Sequence, residues 1–172
     1  MQKLVQLDQV IRNTQITEGS TTYTYSQMCD ETQPGVCTVR GSPLEFWRTT
    51  SNTYDLSGYT TDAQIVAKIN TGKGDASLYP PASQNFISIN GMFGGTTPTS
   101  VTTTASGTNN LQQAQAIKYL YFLKNDKSAE ERYKTFEQKI EDNINSWING
   151  QSDLNAYIST LNAINRAFST DI

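Results

Sequence analysis

Cys29 and Cys37 are the only cysteines in the chain, and they stand close together in a loop-like stretch with Pro34-Gly35 between them. Proline followed by glycine marks a tight turn. Two isolated cysteines so placed read most simply as a local disulfide, which persists outside the reducing cytosol. The alternative is a cytosolic chain with two free thiols. Seven residues separate the pair, so this is not the Cys-x-x-Cys redox motif. Directly afterwards comes Ser42-Pro43, a helix start. The serine oxygen accepts from a free backbone N–H, and proline suits a first helical position that needs no donor. Leu44, Phe46 and Trp47 then supply an apolar face. Phe46 and Trp47 are candidate contacts for a hydrophobic ligand, with packing as the other reading.

The rest of the chain alternates helical patterns with polar linkers. Leu4, Val5, Leu7, Val10 and Ile11 recur at helical spacing, predicting an amphipathic helix over 3–14. The Thr-rich run 17–24 reads as a loop, and 25–29 as a short helical turn. Thr61-Asp62 caps a helix over 63–70, with Ile65, Val66 and Ile69 inward and Gly72 and Gly74 ending it. Tyr79-Pro80-Pro81 is extended or turn-like. Phe86, Ile87 and Ile89 fit a short strand broken by Asn90-Gly91 and Gly94-Gly95. The Thr, Ser, Gly and Asn run over 95–110 reads as a mobile surface loop, with an edge hairpin around 101–104 as the other fit.

The last third is denser in apolar residues. The stretch 115–123 reads as a buried strand. Ser128 with Glu131 forms a capping box, opening a helix over 129–148 whose Tyr133, Phe136, Ile140, Ile144 and Trp147 repeat every three or four residues. Asn149-Gly150 ends it, and 154–164 alternates as a strand would. The fold class expected is α+β, with a strand-helix-strand C-terminal half and helices packed on one face of a sheet. The chain divides into a helical and disulfide-loop part over 1–60 and an α+β part over 61–172.

Composition excludes more than it assigns. The net charge is −3 and the pI near 4.9, without the basic footprint of a nucleic-acid binder. There is no histidine, which removes the commonest general base and zinc ligand. Two cysteines alone make no structural zinc site. No phosphate-binding glycine loop occurs, since no basic residue follows Gly91-Met-Phe-Gly94-Gly95. Asp30-Glu31 is a weak calcium signal. Glu130, Glu131, Glu137, Glu141 and Asp142 lie beside Lys127, Arg132, Lys134 and Lys139 and read as a solvated, salt-bridged helix face. No catalytic residue, cofactor or metal site is expected, and no enzymatic activity. No stretch reaches the roughly 20 apolar residues of a membrane span. The N-terminus lacks the apolar core of a signal peptide. A disulfide-bonded chain needs a route out of the cytosol, so this one is expected to be a piece of a larger protein.

Several blocks together resemble one family. They are Asp8-Gln-Val-Ile11-Arg-Asn, Tyr25-Ser-Gln-Met-Cys29, and Cys37-Thr-Val-Arg-Gly-Ser42-Pro43-Leu44-Glu45-Phe46-Trp47. Phe93-Gly94-Gly95, 114–123, 137–147 and 165–172 follow in matching order. The chain is similar to the extracytoplasmic domain of the Patched, Dispatched and Niemann–Pick type C branch of the resistance-nodulation-division (RND) membrane proteins. It departs from the family's pattern in having Phe136-Glu137 where Trp-Glu is typical, and a single acid, Asp171, near the end. The resemblance implies a ferredoxin-like, porter-type core with a disulfide-bearing N-terminal extension. It places the domain between two transmembrane helices, facing the lumen, periplasm or cell exterior, and soluble by itself. The implied work is gating or guiding a sterol or other lipid. The implied partners are the remainder of its own membrane protein, a sterol or lipid, and a protein partner, with no nucleic acid. The rival reading is a secreted or surface protein-binding module with no transport role.

Overall fold

A computed structural model describes residues 1–37, 42–49, 53–73, 89–102, 104, 106–124, 126–155 and 158. It is a mixed helix and strand structure with small sheets. Among the described residues the strands form three separate two-stranded antiparallel sheets. The two cysteines are joined as a disulfide. The chain forms two compact units, one made of 1–2 with 30–122, the other of 3–29 with 123–172.

In the second unit, helix α1 (Gln2–Arg12) buries Ile11 and Asp8. The residues 17–24, expected as a loop, instead form a hairpin. Strand β1 (Gln15–Glu18) pairs with β2 (Thr21–Thr24) in the register Gln15↔Thr24 to Glu18↔Thr21. Gly19, with φ of 60°, makes the reversal. β-branched threonines suit this pleated ribbon, and their Thr17–Thr22 hydroxyl pair lies 3.2 Å apart across it. Helix α2 (Tyr25–Met28) follows, its first turn closed by Gln27 reaching back to the Thr24 N–H at 2.9 Å.

Helix α5 (Glu130–Ile148) lies against β1 and buries Phe136, Ile140 and Ile144. Asn143 Nδ2 donates to Thr14 Oγ1 at 3.0 Å, tying α5 to the end of α1. The expected Ser128–Glu131 capping box does not form. Asp126 is the cap: its carboxylate accepts from the Ser128 hydroxyl at 2.6 Å and N–H at 2.9 Å, opening a 3-10 turn (Lys127–Ala129) that runs into α5. A carboxylate accepts more strongly than a hydroxyl, and it can take both serine donors.

In the first unit, β3 (Glu31–Gln33) and β4 (Val36–Cys37) form a bulged hairpin around Pro34-Gly35, as the turn signal implies. A 3-10 helix spans Pro43–Trp47, and Ser42 Oγ accepts from Leu44 N–H at 3.2 Å. Helix α3 (Asp62–Gly72) opens on a Thr61–Gln64 capping box. Helix α4 (Ile89–Met92) takes the place expected of a strand end. Phe86 and Ile87 lie outside the described residues, as does most of 154–164. Strand β5 (Phe93–Gly94) pairs with β6 (Ala116–Ile117).

The buried strand expected over 115–123 is therefore only two residues long, and β6 is exposed on both faces. Residues 119–124 are half-buried. The apolar run is real, but its pairing with β5 ends at Ile117, and the next N–H, of Lys118, reaches Met92 O at the end of α4 at 2.8 Å. The core of this unit is elsewhere: Phe46, Trp47, Ile69, Met92, Phe93, Val101 and Leu111. Val101, 2% exposed, belongs to the stretch expected as a mobile surface loop, and Leu111, equally buried, follows directly after it.

Candidate functional site

The Ser42–Trp47 block is built inward. Every residue from Ser42 to Trp47 is buried. Phe46 and Trp47 meet edge to face at 6.2 Å, and Tyr59 meets Trp47 likewise at 5.6 Å. Such pairs add packing energy beyond area burial. Both candidate ligand contacts thus occupy the core. The Trp47 ring N–H finds no acceptor among the described residues.

Glu45 is 2% exposed, and a carboxylate buried this deeply needs compensation. Arg48 forms an ion pair with its Oε2, and the Tyr54 hydroxyl donates to its Oε1 at 3.0 Å. The i,i+3 spacing of Glu45 and Arg48 sets the pair across one turn of the 3-10 helix. This carboxylate braces the bend after the helix. Among the described residues no group of three or more potential ligands could hold a metal ion, and Asp30-Glu31 gathers none.

A second cluster went unsignalled by motif. Three polar side chains fasten residues 101–111. Asn70, on α3, donates to Leu111 O at 2.7 Å and accepts from Leu111 N–H at 2.8 Å. Asn90, on α4, does the same with Val101, both bonds at 2.9 Å. Each amide thus stands in for a neighbouring strand, satisfying both backbone groups of a buried residue. Lys73, 1% exposed, donates to Gly107 O at 3.2 Å, Asn109 O at 3.4 Å and Asn110 Oδ1 at 2.7 Å. The available signal is spacing: Ile65, Ile69 and Lys73 recur every four residues, so Lys73, the residue just past the end of α3, follows in line with the helix's inward face.

The charged face of α5 is as the sequence suggests. Lys134 pairs with Glu130 at 2.9 Å and Glu131 at 2.7 Å, and both bonds raise its pKa. Gln138 bonds Asp142 at 2.9 Å. Arg132 bonds Glu18 at 2.8 Å and stacks over Tyr23 at 4.0 Å. A shallow, open depression of about 400 Å³ lies here, lined by Ile16, Lys134, Thr135, Gln138, Lys139 and Asp142. Its mouth is wide, and Lys134 is already paired with Glu130 and Glu131, so it encloses nothing. Deeper in this unit, Arg12 holds the buried Asp8 at 2.7 Å. Burial raises the pKa of Tyr25; Arg12 opposes the shift and Asp8 adds to it.

No family model, curated protein or solved structure matches the chain. Among the described residues, no helix is long and apolar enough to cross a membrane.

Proposed function

We propose that the chain is an extracytoplasmic domain of a membrane protein of the Patched, Dispatched and Niemann–Pick type C branch of the RND superfamily. In this reading it performs no catalysis. It gates or guides a sterol or other lipid moved by its parent protein, or contacts a protein partner. The observation that carries the reading is the Cys29–Cys37 disulfide followed at once by the buried block Ser42–Trp47. A disulfide fits an oxidising compartment. The block is the most specific part of the resemblance, and complete burial suits a motif that specifies a fold. The ferredoxin-like, porter-type core belongs to the same proposal, and α5 packed on β1 is a helix-on-strand pairing in keeping with it.

The parent reading frame tests the placement. Apolar spans of roughly 20 residues are expected on both sides, with the domain protected from protease in sealed membranes whose cytoplasmic face is outward. A reading frame with no apolar span on either side overturns the proposal. Native mass spectrometry of the disulfide-intact domain with cholesterol then separates two roles. A sterol adduct supports direct guidance, and its absence leaves gating or partner contact.

A further inference from the structure

The clamp on Val101 sits at a chemically special dipeptide, because Asn90 is followed by Gly91. Glycine has no side chain to shield its backbone nitrogen, which can attack the amide carbon of a preceding asparagine. We propose that Asn90-Gly91 is a deamidation site held unreactive by its grip on Val101, and that its reaction unfastens the segment 101–111. The Gly91 nitrogen gives its proton to solvent base and bonds to Asn90 Cγ. Nδ2 departs as ammonia and a five-membered succinimide closes. Water then opens the ring at either carbonyl, leaving aspartate or isoaspartate. The sequence consumes only water, and no electrons are transferred.

Two features restrain the attack. Both Nδ2 and Oδ1 of Asn90 are engaged, each in a 2.9 Å bond to Val101, so Cγ cannot swing toward Gly91 N. The helical turn Ile89–Met92 holds the Asn90 backbone in a conformation that ring closure must leave. Reaction therefore awaits local opening, which segments fastened by few bonds undergo readily. The product changes the clamp's chemistry. Aspartate still accepts from Val101 N–H, but an oxygen replaces the donor and faces the Val101 carbonyl. Val101 is 2% exposed, so that carbonyl loses its partner in a part-buried place where water replaces it poorly. Isoaspartate also adds a methylene to the backbone of α4.

The chain carries its own reference. Asn149-Gly150 follows α5, and the exposed Asn149 side chain makes no hydrogen bond among the described residues. The full chain would be incubated in mildly alkaline buffer, native and in denaturant, and both sites read by peptide-mapping mass spectrometry. Dividing the denatured rate by the native rate gives each site's protection. Protection at Asn90 is expected to exceed that at Asn149 by about tenfold, equivalent to roughly 1.4 kcal/mol of opening. Lys73→Met, which frees the same segment at Gly107 and Asn109, should lower protection at Asn90 and leave Asn149 unchanged. If that variant fails to fold, Asn110→Ala removes one of the lysine's acceptors and serves instead. Equal protection at the two sites, or unchanged protection at Asn90 in the folded variant, overturns the gating. Asn90→Asp reproduces the product and should speed hydrogen exchange across 101–111; unchanged exchange there overturns the unfastening.

Discussion

Asn70→Ala removes the amide that holds α3 to Leu111. The side chain makes two bonds to one residue, 2.7 Å to the carbonyl and 2.8 Å from the N–H. Leu111 is 2% exposed, so solvent replaces those bonds only if the segment moves. A buried polar group left unpaired costs roughly 1–3 kcal/mol, which sets a ceiling near 6 kcal/mol for the two. Partial opening admits water and lowers this, while alanine returns about 0.5 kcal/mol of helix propensity. The expected loss is about 2–4 kcal/mol, a large fraction of ordinary domain stability. Because the chain has two units, one global unfolding curve need not report on this one. Native-state hydrogen exchange at the Leu111 amide does, and protection should fall by about thirtyfold for each 2 kcal/mol lost. Asn70→Asp keeps the acceptor but sets a carboxylate against the Leu111 carbonyl, so it should be no closer to wild type than alanine. Unchanged Leu111 protection in Asn70→Ala, together with a stability loss no greater than in the exposed control Asn149→Ala, would refute the clamp and leave packing as the fastener.

Reduction of the Cys29–Cys37 disulfide, or the Cys29→Ser/Cys37→Ser double variant, should cost about 2–3 kcal/mol, as expected for a short closed loop; an unshifted urea midpoint would argue against it. Gly107→Ala drives a Cβ into the Thr102 methyl group, so an overpacking loss of about 1–3 kcal/mol is expected in thermal or urea denaturation. The Asp126 carboxyl titrates below its ordinary value because the Ser128 hydroxyl and then its N–H bond to it. A depressed folded pKa means the cap is complete above the unfolded pKa and is lost as pH falls through the folded one. NMR titration should show that low midpoint, and Ser128→Ala should move it up. Tyr25 shifts the other way, chiefly through burial. Its contribution is complete below the ordinary phenol pKa of 10.0 and drains away as pH rises beyond it. Tyr25→Phe should therefore flatten the alkaline limb of the stability profile, and an unaltered limb would rule Tyr25 out as its cause.

What the sequence made legible was whatever a local signal encodes. Ser42-Pro43, the Thr61 cap and Pro34-Gly35 act within one turn, the Phe136–Ile140–Ile144 spacing acts along one helix face, and each forms where expected. Failures came where two local chemistries compete or where the deciding partner is distant. Ser128 and Glu131 have capping-box spacing, but Asp126 offers the stronger acceptor two residues earlier. The Thr-rich run 17–24 is polar enough for a loop and β-branched enough for a ribbon. Cross-strand pairing and the approach of α5 decide for the ribbon. The apolar stretch 115–123 carries the right residues for a strand, yet β5 offers it only two paired positions.

The candidate site shows the same limit more sharply. Residues 95–110 contain almost nothing apolar, so composition alone gives no reason to bury them. Among the described residues of this run only Val101 is buried, and it and the adjoining Leu111 are held because Asn90 and Asn70 supply, from 11 and 41 residues away, the backbone partners a sheet would otherwise provide. Lys73 donates to the carbonyls of Gly107 and Asn109 between them. No periodicity records such a bond, since one asparagine in a helix looks like any other. The family-like block Ser42–Trp47 is the converse case. It is legible because its cap, proline and aromatics act locally, and its burial means that it reports on fold and not on what the domain touches. Under the proposed function, a lipid or protein contact surface is therefore expected outside this block. If the proposed sterol contact involves exposed apolar surface, Ile117→Ser on β6, where Ile117 is 38% exposed, is expected to weaken the sterol adduct in native mass spectrometry while leaving the urea midpoint unchanged, unlike Phe46→Ala or Trp47→Ala, which open the core.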